Sequence, residues 1–268
     1  MRARKRFGQH FLEPAWVDKV VRAIDPKAEE TFIEIGPGRG ALTRPLAARA
    51  RSVAAYEIDR DLAADLRAAA IPNVTVVEGD FLELSRTPPF LRSPLAPQSP
   101  SPLFVRVAGN LPYNVASPIL FRLAELHARG LTIADATLML QREVAERLAA
   151  APGRKEYGVL SVLLQHVARI ELLLKLPAGA FRPAPKVLSA LVRLEFHAPE
   201  PPVGDLARFQ ALVRTAFSHR RKTLANALRG RQPDSMSAAL AGAALDGRRR
   251  PETLTVAEFA RLADFYPR

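Results

Sequence analysis

Asn110-Leu111-Pro112-Tyr113 follows an apolar run, Leu103 to Ala108, that reads as a buried strand. These residue types in this order suit methylation of an exocyclic amino group on a nucleobase. Such a nitrogen is a weak nucleophile, because its lone pair is delocalised into the ring. The side-chain carbonyl of Asn110 and the backbone carbonyl of Leu111 can both accept from an NH₂. They hold it with its lone pair aimed at an electrophile and stabilise the positive charge that grows during attack. Pro112 fixes the backbone, and the ring of Tyr113 offers a face on which a flipped-out base can stack. By itself the tetrapeptide fits a polar loop with a proline turn equally well. The segments before it decide the matter.

Thr31 to Ile35 reads as a buried strand that runs into Gly36-Pro37-Gly38-Arg39-Gly40, and a helix-like stretch, Ala41 to Ala50, follows. A strand, a glycine turn and a helix make a nucleotide-binding unit, since glycine permits positive φ and close approach of a ligand to the backbone. A second strand ends in Glu57, placed to hold ribose hydroxyls. A third leads to Gly79-Asp80, where Asp80 can accept from an adenine amino group. A dinucleotide dehydrogenase and a methyltransferase both fit so far. The spacing G-x-G-x-G, rather than the G-x-G-x-x-G that cradles a pyrophosphate, favours a sulfonium cofactor without phosphate. Acidic residues such as Glu34 suit its positive charge. S-adenosyl-L-methionine is the expected cofactor.

The elements that must position these residues alternate. A first helix is expected over 14–24, with Trp16, Val17, Val20, Val21 and Ile24 on a core-facing stripe. Strands follow over 31–35, 52–57, 74–78, 103–108, 136–141, 171–176 and 189–196, with helices between them. This implies an α/β fold with a mostly parallel sheet and ligands at the carboxyl ends of its strands. A domain boundary is expected at 198/199, where three prolines and Glu200 break the pattern; residues 199–268 then carry helical spacing and no convincing strand. Within the first domain, residues 86–102 form a proline-rich loop whose one charged residue between Pro88 and Pro102 is Arg92.

Charge points to a polyanionic partner. The chain has 39 Lys and Arg against 27 Asp and Glu, a net +12. Arg2, Arg4, Lys5 and Arg6 precede the first acidic residue, and the segment from Arg214 to Arg231 holds six basic residues and no acidic one. There Val213, Phe217, Leu224 and Leu228 share a helical face, with Arg214, Arg221 and Lys222 on its flank. The chain lacks cysteine, which excludes disulfides, thiolate metal sites and the covalent route to C5-methylated pyrimidines. Five scattered histidines show no metal-ligand spacing, and no metal is expected. No apolar stretch is long enough to span a bilayer and no signal peptide is seen, so a cytoplasmic chain without a membrane partner is expected.

Phe7-Gly8-Gln9-His10-Phe11-Leu12, Glu34 to Thr43, Glu57-Ile58-Asp59, Gly79-Asp80 and Asn110 to Tyr113 together resemble the KsgA-type rRNA adenine N6,N6-dimethyltransferases. Phe181-Arg182-Pro183-Ala184-Pro185-Lys186-Val187 with Ser189-Ala190, and Phe217 to Leu224, are similar to two later motifs of that family. The resemblance runs from about Phe7 to the C-terminus, apart from the proline-rich loop, where the family is usually shorter. It implies a class I methyltransferase fold, Rossmann-like with seven strands of which the last is antiparallel, and a small all-helical C-terminal domain that binds RNA. It implies that His10 and Leu12 close over the cofactor, although the family often has Asn at the first position. Gly36 and Gly38 let the methionine moiety pass, and Asn110 contacts both cofactor and target. Tyr113 and Phe181 sandwich the flipped adenine, and the position of Phe181 outside any apolar run argues for its exposure. Arg214, Arg220, Arg221 and Lys222 are expected on RNA phosphates. The implied reaction is dimethylation of two adjacent adenosines in a hairpin near the 3′ end of small-subunit rRNA, on an assembly intermediate of the small subunit, by a monomer. A large-subunit methyltransferase conferring macrolide resistance and a non-catalytic RNA-binding factor are the competing readings.

Overall fold

The computed structural model describes residues 10–84, 104–228 and 233–266. The basic N-terminus, Phe7-Gly8-Gln9 and the proline-rich loop at 86–102 lie outside the described residues. The chain divides into two compact units, Met1–Ala145 with Arg169–Phe196, and Glu146–Ala168 with His197–Arg268.

The first unit is built on a seven-stranded sheet. Its members are β2 (Thr31–Ile35), β3 (Ser52–Glu57), β4 (Val74–Glu78), β5 (Val105–Asn110), β6 (Ile133–Gln141), β7 (Ala168–Leu176) and β9 (Ser189–Phe196), in the order β4-β3-β2-β5-β6-β9-β7. A separate two-stranded piece pairs β1 (Phe11–Leu12) with β8 (Phe181–Arg182), antiparallel. The pairs β4–β3, β3–β2, β2–β5 and β5–β6 are parallel, whereas β9 runs antiparallel to β6, the direction expected of the last strand. Every residue of β2 is buried, Glu34 included, as a central parallel strand covered on both faces requires.

Helix α1 (Pro14–Ile24) covers the expected range, with proline at its start and Val20, Val21 and Ile24 buried. Helices α2 (Thr43–Ala47), α3 (Arg60–Ala68) and α4 (Ala116–Ala128) follow β2, β3 and β5, and α5 (Arg142–Leu148) follows β6. From β2 the chain proceeds outward to β3 and β4, then returns to the other side of β2 with β5. That reversal is a topological switch point, and it opens a crevice at the carboxyl ends of β2 and β5, where α/β sheets bind ligands.

The second unit holds α6 (Val159–Gln165), α7 (Leu206–Ser218), α8 (Leu224–Ala227), α9 (Pro233–Gly242) and α10 (Val256–Phe265), and no strand lies wholly within it among the described residues. Here the expected boundary needs amendment, because residues 146–168 group with the C-terminal helices rather than with the sheet. The cause is apolar. Val162, Leu163 and Leu164 are buried, and the ring of His166 lies 4.5 Å from that of Phe209 on α7 while its Nε2 meets the Pro201 carbonyl at 2.7 Å. The single amphipathic helix expected across Val213–Leu228 is also corrected. Helix α7 stops at Ser218, and Arg220, Arg221 and Lys222 lie in the turn before α8, closed by the Lys222 N–H on the His219 carbonyl at 2.8 Å. The apolar stripe itself is inward, with Val213, Leu224 and Leu228 buried.

Candidate active site

The crevice at the switch point is lined by the ends of β1 to β5 and the turns after them. Gly36 follows β2 at φ +68° and Gly38 at φ +57°, conformations that L side chains rarely adopt. A Cβ on Gly38 would also meet the ring of Phe11 at 3.1 Å. Phe11 therefore lies directly on the glycine turn, with the Arg39 guanidinium 4.4 Å from its ring centroid.

Glu57, at the end of β3, is buried, and burial is the main cause that pushes its carboxyl up. Three backbone N–H groups, of Asp59, Gly38 and Ile58, oppose that shift; Asp59 donates to Oε1 and Gly38 to Oε2, both at 2.9 Å. Glu57 thus ties the glycine turn to the neighbouring strand and lines the crevice. Asp80 accepts from the Leu82 N–H at 2.9 Å through Oδ1 and so caps the turn Phe81–Glu83. Ile58, 49% exposed, adds an apolar surface between these acids.

Glu34 is the most unusual group in the crevice. It is fully buried, its Oε2 has no hydrogen-bond partner among the described residues, and burial, with the charge of Glu57 adding to it, pushes its carboxyl up to about 8. A buried carboxyl oxygen without a partner is costly, and a cationic ligand relieves it. The acids, the glycine turn with its positive φ, and the apolar patch of Ile58 and Phe81 fit a sulfonium-bearing adenosine.

Asn110 closes β5 in register with Met139, one residue beyond the pair Ile35–Gly109. That crossing is tight, since a Cβ on Gly109 would sit 2.5 Å from the Ile35 carbonyl oxygen. The Asn110 Nδ2 donates to the His10 carbonyl at 2.6 Å. Because that carbonyl can only accept, the orientation of the amide is fixed, and Oδ1 is left as its acceptor face. Leu111 is buried and its N–H donates to Met139 O; Pro112 O accepts from Val115 N–H just before α4. Tyr113 is half-buried, with its hydroxyl 2.8 Å from Ser189 Oγ, and burial pushes its phenol up, against the hydrogen bond to Ser189.

The structure brings His10, Leu12, Gly36, Gly38, Glu57, Asp80, Asn110, Leu111, Pro112 and Tyr113 to one cavity. Phe181 is the exception and a correction. It is 2% exposed and packs in the cluster of Leu12, Val20, Val21 and Ile24, because pairing with Leu12 turns it inward and leaves Arg182 facing out. Arg214, Arg221 and Lys222 are exposed, whereas Arg220 is half-buried and donates to the Arg154 carbonyl at 3.2 Å. Arg248 and Arg249 of the basic run 248–250 are paired, with Asp246 and with Glu258. Sequence reasoning placed Phe11, Arg39, Ile58 and Ser189 within its motifs but gave them no role in the site. The one legible signal among these was Ile58, an apolar residue directly behind the acid that ends a strand. Among the described residues no cluster could hold a metal ion and no helix is long and apolar enough to cross a membrane.

Residues 1–267 match the family model described as ribosomal RNA adenine dimethylase. A "ribosomal RNA small subunit methyltransferase A" of Chromohalobacter salexigens is 47% identical over 98% of this chain and 90% of its own length. One of Leptothrix cholodnii is 46% identical over 97% and 90%. A solved 23S rRNA methyltransferase, ErmE, superposes with TM-score 0.67 at 29% identity, over 96% of this chain and 99% of that one. A dimethyladenosine transferase of Plasmodium falciparum shares the fold, with TM-score 0.78 at 23% identity over 94% and 96%.

Proposed function

The chain belongs to the ribosomal RNA adenine dimethylase family, whose cofactor is S-adenosyl-L-methionine, and from that premise we propose how its residues methylate the N6 amino groups of small-subunit rRNA. The target is a pair of adjacent adenosines in a hairpin near the 3′ end, each carried to N6,N6-dimethyladenosine during ribosome biogenesis. The observation that carries the reading is the Asn110 amide, locked by the His10 carbonyl with Oδ1 as acceptor in the cavity of the glycine turn.

When bound, the cofactor supplies an electrophilic methyl group. Gly36 and Gly38 give its methionine part access to the backbone, Glu57 holds the ribose, Asp80 the adenine amino group, and Leu12 the apolar wall on the N-terminal side. The target base stacks on Tyr113, whose ring is steadied by Ser189. Its amino group donates to Asn110 Oδ1 and to the Leu111 carbonyl, which draws the lone pair out of the ring plane and stabilises the developing ammonium charge. The neutral phenol of Tyr113 serves as a surface and exchanges no proton. No strong base is needed, because the ammonium product loses its proton to solvent. Arg214, Arg220, Arg221 and Lys222 contact RNA phosphates. We read the enzyme as a monomer, and its ribosomal substrate supports a cytoplasmic location. Identities of 46–47% to small-subunit methyltransferases, against 29% to the solved 23S enzyme, favour a small-subunit assembly intermediate as the partner.

The test is Asn110→Ala assayed with equilibrium binding of S-adenosylhomocysteine alongside. The rate of methyl transfer at saturating cofactor is expected to fall on the order of 10²–10³, the binding measurement separating this from any weaker hold on the cofactor. A rate within a few-fold of wild type would contradict the role.

A further inference from the structure

Among the described residues that line the crevice, three are acids, Glu34, Glu57 and Asp80, and one alone is Lys or Arg, namely Arg39. The acids suit the sulfonium and the α-ammonium of the cofactor, but they oppose the α-carboxylate of its methionine part. That carboxylate needs a cation of its own. Arg39 follows Gly38 directly, and its guanidinium is kept at the glycine turn. Its Cζ lies 4.4 Å from the ring centroid of Phe11, and the same ring would meet a Cβ on Gly38 at 3.1 Å. Attraction of a cation to an aromatic face restrains a long side chain that would otherwise range through solvent. Glu34 and Glu57 are buried, whereas Arg39 is exposed. The crevice therefore has acids in its floor and one cation at its mouth.

We propose that Arg39 is the residue that binds the cofactor's α-carboxylate, its guanidinium steadied on Phe11 at the glycine turn. The inference rests on the reading that Gly36 and Gly38 face the methionine part of S-adenosyl-L-methionine. A guanidinium matches a carboxylate with a planar fork of two N–H groups, which an ammonium does not offer. The pair ties down the amino-acid end of the cofactor, while Glu57 and Asp80 take its ribose and adenine. Holding both ends fixes where the sulfonium between them lies. It also makes the site selective, because an adenosyl thioether or sulfonium without the carboxylate leaves Arg39 without that anion and gains less on binding. An RNA phosphate is the rival anion for a cation at the mouth, and the contact of Phe11 with both Gly38 and the guanidinium favours the cofactor.

The full-length protein, without RNA, is titrated calorimetrically with S-adenosylhomocysteine and with its decarboxylated analogue, S-adenosyl-3-thiopropylamine, which keeps the amine and lacks only the carboxylate. Wild type, Arg39→Gln and Arg39→Lys are compared. Wild type is expected to prefer S-adenosylhomocysteine, and Arg39→Gln to bind it about threefold to tenfold more weakly while holding the analogue within about twofold of wild type. Arg39→Lys, which keeps the charge without the fork, is expected to fall between. Urea midpoints close to that of wild type show that the variants fold. An equal loss for both ligands would reduce Arg39 to a support of the glycine turn and overturn the proposal. Unchanged affinity for S-adenosylhomocysteine, with weaker binding of a small-subunit hairpin measured alongside, would assign Arg39 to an RNA phosphate and also overturn it. In both cases the cofactor site stands. Failure of wild type to bind either ligand would instead overturn the placing of the cofactor, and the role of Arg39 with it.

Discussion

Two side chains show how far residue type predicts residue role. Phe181 sits among residues that read as an exposed loop, yet pairing with Leu12 commits it to the core of the first unit. Phe181→Ala is therefore expected to lower stability by about 3–5 kcal/mol, as loss of a buried aromatic does. A urea titration that found a near-native midpoint with methyl transfer abolished would return Phe181 to the stacking role. Glu34 reads as one more acid near a cationic ligand, but burial gives it a second consequence. Its carboxyl lies at about 8 rather than the ordinary 4.5, so between those values the folded chain keeps a proton that the unfolded chain has released. The stabilising contribution is complete below about pH 4.5 and is lost as pH rises through about 8. Glu34→Gln, which keeps the shape and removes the titration, is expected to gain on wild type steadily from about pH 5 to about pH 8. A difference in midpoint independent of pH would refute this. Asn110, by contrast, was legible only in company: its tetrapeptide fits a polar proline turn equally well, and the glycine turn and acidic strand ends before it are what point to a methyl-transfer site.

The elements were legible where hydrophobic runs were long. The ranges of β2, β3, β4, β9 and α1 coincide with their apolar patterns, and in all but the half-buried β4 burial of those stripes decides them. Boundaries failed where polar contacts intervene. Helix α7 ends at Ser218 although the apolar stripe continues, and the basic triad occupies the break. Another element-level device, invisible in sequence, sits at the opposite end of the sheet from the site. Arg106 on β5 makes a bidentate pair with Asp135 on β6 at 2.9 and 2.7 Å and reaches Glu30 at 2.8 Å. It also donates to the carbonyls of Ile24 and Asp25 at the end of α1, at 2.7 and 3.1 Å. One guanidinium thus closes the helix C-terminus and ties it to two strands. Arg106→Ala leaves the buried Asp135 carboxylate with only Arg193 Nε, at 3.6 Å, as a cationic partner among the described residues and should cost about 3–5 kcal/mol, read from denaturant midpoints. A loss below about 1 kcal/mol would mean that water replaces the guanidinium there.

At the scale of the whole molecule, the net charge of +12 and the run from Arg214 onward signal an RNA partner, while the surface arrangement depends on the fold. Replacing Arg220, Arg221 and Lys222 together by Ala should reduce the slope of log affinity against log salt by about one for each phosphate no longer neutralised, with cofactor binding unaltered. An unchanged slope would remove the triad from the interface. The grouping of residues 146–168 with the C-terminal helices was not legible, because it depends on which surface their apolar side chains meet rather than on their own pattern. The central claim, dimethylation of adenosine on small-subunit rRNA, is met most directly by offering labelled S-adenosylmethionine with unmethylated small subunits and, in parallel, unmethylated large-subunit RNA. The product nucleosides are then identified by mass. N6,N6-dimethyladenosine on the small-subunit substrate alone is the predicted result; label confined to the large-subunit RNA, or absent from both while S-adenosylmethionine still binds, would contradict it.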